Sequence, residues 1–148
     1  MKKNRQNIFV TGFIGLLALG ACAKPPPADP LLTVAADFMA AFNDHDPAAM
    51  VALVSEDVRW LTVDGDSIAI EVQGRDALEA AMADYFEAGP RSPSRMRFAR
   101  SDGEYVLGVE EIMRGPASEG RNQCSVVVYR FEASLIRDVW YYHPAYQC

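Results

Sequence analysis

From Ser94 onward the chain reads as four strand-like segments in a row: SRMRFARS, EYVLGVEEIMRG, NQCSVVVYRF and SLIRDVWYYH. β-Branched and aromatic residues are frequent in them, and SDGE, GPASEGR and EAS between them carry turn chemistry. Strands joined by such short connections run antiparallel, because a parallel return needs a dozen or more residues. This part of the chain is committed to an antiparallel meander, and what precedes it must cover one face.

The preceding residues supply that cover. Leu31 to Asn43, LLTVAADFMAAFN, sets Leu32, Ala35, Ala36, Met39 and Phe42 at helical spacing. Pro30 stands just ahead, where proline is tolerated. NDHD breaks this helix, and Asp46-Pro47 starts a second, with Asp as N-cap, Pro in the first turn, and Met50, Leu53 and Val54 inward. DVRWLTV and IAIEV, on either side of DGD, read as a short hairpin. QGRDALEAAMADYFEAGP is a third helix, with Leu78, Ala81, Met82, Tyr85 and Phe86 on one face and Gly89-Pro90 as its stop. The order predicts an α+β domain: a cone-shaped barrel of curved antiparallel sheet packed on about three N-terminal helices.

The N-terminus sets a different constraint. MKKNRQ carries three positive charges and no acid, and an apolar run from Ile8 to Leu19 follows. That is a secretory signal pattern, and the run is shorter than a spanning helix requires. LGAC, ending at Cys22, resembles the bacterial lipobox. The resemblance implies a signal peptide over 1–21, a diacylglycerol on Cys22, and, with Ala23 next, the periplasmic side of the outer membrane. Ordinary cleavage with Cys22 as a plain thiol is the alternative. AKPPPADP then makes residues 22–30 a stiff tether, and residues 31–148 are left as one domain. Cleavage removes Lys2, Lys3 and Arg5 but no acid, so the exported part is more acidic than the full chain's −6. Such a domain is a poor partner for nucleic acid. In an exported protein Cys124 and Cys148 read as a disulfide, against two free thiols.

Three local patterns resemble the nuclear transport factor 2-like superfamily and its SnoaL-like branch. FMAAFNDHDPAAMVALVSEDVRW is similar to its opening helix pair and first strand. VQGRDALEAAM is similar to the start of its third helix, and IRDVWYYHP to its last strand. The resemblance implies a pocket between sheet and helices. It does not supply the catalytic set of the isomerases, whose tyrosine, base and second acid would fall at Phe38, Thr62 and Val127. Nor does it supply the epoxide hydrolase pair, because Arg137 and Asp138 are adjacent and alternate in direction.

By the same resemblance the pocket is lined by Val58, Trp60 and Thr62, by Ser125, Val127 and Tyr129, and by Asp138, Trp140 and Tyr142. This parity requires an even turn at Ala133-Ser134; a three-residue loop turns Asp138 outward. An inward Asp138 beside Tyr129 would be the acid–base candidate, with Phe38, Trp60, Thr62, Val127, Trp140 and Tyr142 as ligand contacts. The bland alternative is a structural carboxylate. Glu110 and Glu111 point to opposite faces, the outward one solvated. His45 lies in a polar break and His143 near the pocket mouth. No spacing suggests a metal or cofactor site. Val126, Val128, Val139 and Tyr141 would face outward and make a homodimer surface. The expected function is a lipid-anchored periplasmic protein that binds a small apolar ligand or serves as an accessory module. The alternatives are an enzyme of the cyclase, dehydratase or hydrolase type using Asp138, and a scaffold with a filled core.

Overall fold

A computed structural model describes residues 29–89, 92–114 and 121–148. The expected signal, Cys22 and the tether as far as Ala28 lie outside the described residues. Three helices and six strands follow the expected order: α1 Pro30–Asn43, α2 Pro47–Val51, β1 Val54–Asp64, β2 Ser67–Gln73, α3 Arg75–Ala88, β3 Ser94–Asp102, β4 Tyr105–Ile112, β5 Gln123–Glu132 and β6 Leu135–Gln147. Capping explains two helix starts. The Leu31 N–H donates to Asp29 Oδ1 at 2.9 Å, and the Ala49 N–H donates to Asp46 Oδ1 at 2.9 Å. Asp29 is thus the N-cap of α1 and Pro30 its first residue. Gly74, at φ 94°, turns the chain from β2 into α3, a backbone conformation other residues rarely adopt.

The strands form one curved sheet in the order β2-β1-β6-β5-β4-β3. The expected antiparallel barrel is corrected in two respects. β1 pairs with β6 in parallel, where the N-terminal hairpin joins the meander. The sheet also stays open, with β2 and β3 as its edges.

The register of β5 against β6 decides what faces inward. Ala133 and Ser134 form a two-residue turn with φ of 49° and 66°, the positive pair that suits a tight hairpin. Glu132 pairs with Leu135 and Phe131 with Ile136, but Arg130 pairs with Asp138. Arg137 is thus an extra residue, a β-bulge that reverses the alternation beyond it. Val139 and Tyr141 turn inward. Asp138, Trp140 and Tyr142 turn outward, against the expected parity, although the turn has the even length that parity required.

The core lies between the sheet's concave face and α1, α2 and α3. Phe38, Met50, Val54, Val58, Leu78, Val106, Val127, Tyr129, Ile136 and Val139 are its most buried members. Full burial of each large apolar side chain contributes about 1.5–3 kcal/mol. Cys124 and Cys148 are disulfide-bonded with Cα atoms 5.4 Å apart, which ties the last residue to β5.

Candidate functional site

Strand alternation brings one residue from each central strand to the same interior spot. Trp60 comes from β1, Glu110 from β4, Tyr129 from β5 and Tyr141 from β6, while α1 adds Phe38, Met39 and Phe42. The Trp60 and Tyr141 rings stack at 5.1 Å and 17°. Phe38 lies 6.3 Å from Trp60 and meets Tyr129 edge-on at 6.1 Å. The Tyr141 hydroxyl donates to Glu110 Oε2. The hollow left among these groups measures about 10 Å3, room for about one water.

The Tyr129 hydroxyl is fully buried and has no hydrogen-bond partner of good geometry among the described residues. It lies within hydrogen-bonding reach of the Tyr141 hydroxyl, which pulls its pKa down, and close enough to Glu110 to feel that group electrostatically. Burial pushes the Glu110 carboxyl above its ordinary range, against hydrogen bonds from Tyr141 and Ser94 that pull it down. Burial, reinforced by the nearby Glu110 charge, also raises both tyrosines, so they stay protonated donors at neutral pH. The site is an aromatic chamber with the buried Tyr129 O–H and a carboxyl of raised pKa at one wall. Chemically it can donate a hydrogen bond to a ligand oxygen and hold a proton beside it.

Of the residues expected to line the pocket, Phe38, Trp60, Val127 and Tyr129 are inward in the structure. Thr62, half-buried, pairs with Tyr141 across the β1–β6 ladder. Trp140 and Tyr142 are on the outer face, where Trp140 stacks with Tyr105 at 6.3 Å. Asp138 is outward as well and has no exposed surface. It accepts from Arg59 Nε at 2.6 Å and Arg130 Nε at 2.7 Å, with Arg137 Nη1 at 3.4 Å. Burial alone would raise its pKa, but the hydrogen bonds and charges of Arg59 and Arg130 outweigh burial and hold the carboxyl below its ordinary range. The geometry therefore separates Asp138 from Tyr129 and makes it the anionic centre of an arginine cluster. Glu111 is outward but not solvated: Arg95 Nε lies 2.7 Å from it, and Asn122 Nδ2 donates to it at 2.8 Å.

Sequence reasoning missed Glu110 and Tyr141 as members of the site. One signal was present. Val106, Gly108 and Glu110 share a strand face, and only the face carrying the buried Val106 could point at the helices. For Tyr141 no signal was available, because its direction depends on the bulge at Arg137. His45 stacks on Phe86 at 4.7 Å and lies outside the chamber.

The model of the SnoaL-like domain family matches residues 35–139. No curated protein matches the chain. Among solved structures, a cystatin-fold protein from Novosphingobium aromaticivorans is similar at 25% identity and TM-score 0.64, covering 75% of this chain and 96% of its own. A ketosteroid isomerase candidate from Kribbella flavida is similar at 16% identity and TM-score 0.64, covering 78% of each chain. A nuclear transport factor 2-like protein of unknown function from Mesorhizobium loti is similar at 18% identity and TM-score 0.61, covering 76% of this chain and 89% of its own. The residues matched span α1 to β6, the elements that build the chamber. The chain belongs to the SnoaL-like domain family and has the nuclear transport factor 2-like fold.

Proposed function

We propose that this chain is an envelope lipoprotein, anchored through Cys22, whose SnoaL-like domain binds a small, neutral, largely apolar molecule carrying one oxygen acceptor. The observation that carries the reading is the buried Tyr129 hydroxyl, which makes no hydrogen bond of good geometry among the described residues. An unpaired buried hydroxyl costs about 1–3 kcal/mol, and a ligand oxygen in the aromatic chamber would satisfy it. The ring faces of Phe38, Trp60 and Tyr141 supply the apolar contact such pockets use. The LGAC motif supports the anchor, and more than one acyl chain holds a protein stably at a membrane. Native mass spectrometry of the protein purified gently from the envelope tests both parts. A small-molecule mass that leaves on denaturation, and a diacylglycerol mass on the Cys22 peptide, are the expected results. A bare polypeptide that also fails to take up 1-naphthol overturns the binding reading, and an unmodified Cys22 overturns the anchor.

Glu110 favours a second reading. A buried carboxyl whose pKa is raised can act as a general acid toward a ligand oxygen beside it, so a cyclase, dehydratase or hydrolase activity would centre on Glu110 and Tyr129. Turnover that survives Glu110→Gln without change in its pH profile overturns this reading.

A further inference from the structure

The closed chamber has a neighbour on the outside. Between α1 and β3 lies an open slot of about 290 Å3, lined chiefly by Leu32, Ala35, Ala36, Ala40, Met96 and Ala99. Met39 lines this slot and the chamber alike. It is the side chain that stands between them.

The slot is framed by hydrogen bonds at both ends. At the C-terminal end of α1, Asn43 Nδ2 donates to the Ser94 carbonyl at 2.8 Å, and the Ser94 N–H donates to Asn43 Oδ1 at 2.8 Å. At the N-terminal end, the Ser101 hydroxyl donates to Asp29 Oδ2. The helix is fixed to the edge strand at both ends. Between the fixed points the facing residues are mostly alanines, too short to fill the gap. Met96 folds inward instead, and its sulfur lies 2.5 Å from where a Cβ on Gly108 would stand. The slot is therefore walled on its inner side by two thioethers, the most adaptable apolar side chains.

We infer that the α1–β3 slot is the entrance and outer half of the ligand site, and that Met39 is the plug that moves to admit the ligand. This rests on the binding reading above. Slot and chamber together reach the lower end of ligand-pocket volumes, about 300 Å3. The ligand class that fits is an uncharged one- or two-ring molecule, its oxygen end at Tyr129 and its apolar body under Met39 and the alanines.

Stopped-flow binding of 1-naphthol to the full-length protein tests the entrance. Ala36→Phe and Ala99→Phe each narrow the slot from one side, at exposed positions that tolerate a larger residue. Each is expected to slow association at least tenfold, and Met39→Ala to speed it at least threefold. Thermal melts verify that each variant is folded. Association rates unchanged in all three variants, with naphthol still bound and weakened by Tyr129→Phe, overturn the entrance and leave the binding reading standing. No naphthol binding by the unmodified protein overturns both.

Discussion

Asp138 and Glu110 show how the pKa values of two buried carboxyls in one sheet are shifted in opposite directions. Asp138 meets Arg59 and Arg130 on the outer face and stays ionised. Its contribution to stability is present above the ordinary aspartate range and is lost as the pH falls through its lowered folded pKa. Asp138→Asn leaves the arginines without their shared anion. Breaking a buried pair costs about 3–5 kcal/mol; Arg59 and Arg130 are partly exposed, so solvent screening brings the expected loss to about 2–3 kcal/mol in urea unfolding. Naphthol affinity is expected to stay unchanged, since Asp138 does not reach the chamber. Glu110 binds its proton more tightly in the folded state. Its stabilising effect is complete below the ordinary glutamate range and declines as the pH rises toward the raised folded pKa, by at most about 1.4 kcal/mol per pH unit. Glu110→Gln keeps an acceptor for Tyr141 and removes the titration. Unfolding of this variant across pH 4 to 9 is expected to show a flatter profile above the glutamate range.

At the scale of elements, the β5–β6 hairpin carries the largest lesson. Ala133 and Ser134 both hold positive φ, a conformation that costs a residue with a Cβ about 1–2 kcal/mol. An asparagine–glycine pair suits this turn better, so Ala133→Asn combined with Ser134→Gly is expected to raise stability by about 1–2 kcal/mol in chemical melts. The disulfide closes a segment with sequence separation 24. Loop-entropy reasoning assigns it about 3.5 kcal/mol, so reduction or Cys148→Ser is expected to lower the unfolding midpoint. Most elements of this fold were legible in the chain. Helix caps at Asp46, strand composition and turn residues are local signals, and they placed the helices, the hairpin and the four-strand meander. The bulge at Arg137 had no local signal. It follows from two demands met together: Ile136 must be inward under α2, and Asp138 must reach Arg59 and Arg130. A single extra residue then reversed every side chain after it, which is why Trp140 and Tyr142 left the pocket and Tyr141 entered. The site was legible on β1 and β5, where alternation runs unbroken through its members.

At the scale of the molecule, the sheet's outer face carries an exposed apolar patch beside its charged clusters. Tyr105, Leu107, Val126 and Tyr142 are exposed on it. Val126 and Val128 face outward as expected; Trp140 and Tyr142 take the places expected for Val139 and Tyr141. We propose that this face pairs with a second copy of the chain. Light scattering is expected to give a dimer mass that falls to the monomer in Leu107→Glu; a monomer mass at every concentration contradicts it. With the sheet's back in a dimer, the concave side, the slot and the chamber remain free for ligand.

The central claim is that the buried Tyr129 hydroxyl, poorly satisfied among the described residues, serves a ligand, and Tyr129→Phe tests it most directly. The measurement pairs thermal unfolding without ligand with calorimetric titration of 1-naphthol, on the same protein. Removing a buried unpaired hydroxyl is expected to raise stability by about 1 kcal/mol or more and to weaken naphthol binding about tenfold. A variant that is less stable and binds naphthol as well as the unmodified protein would show that Tyr129 serves the fold alone.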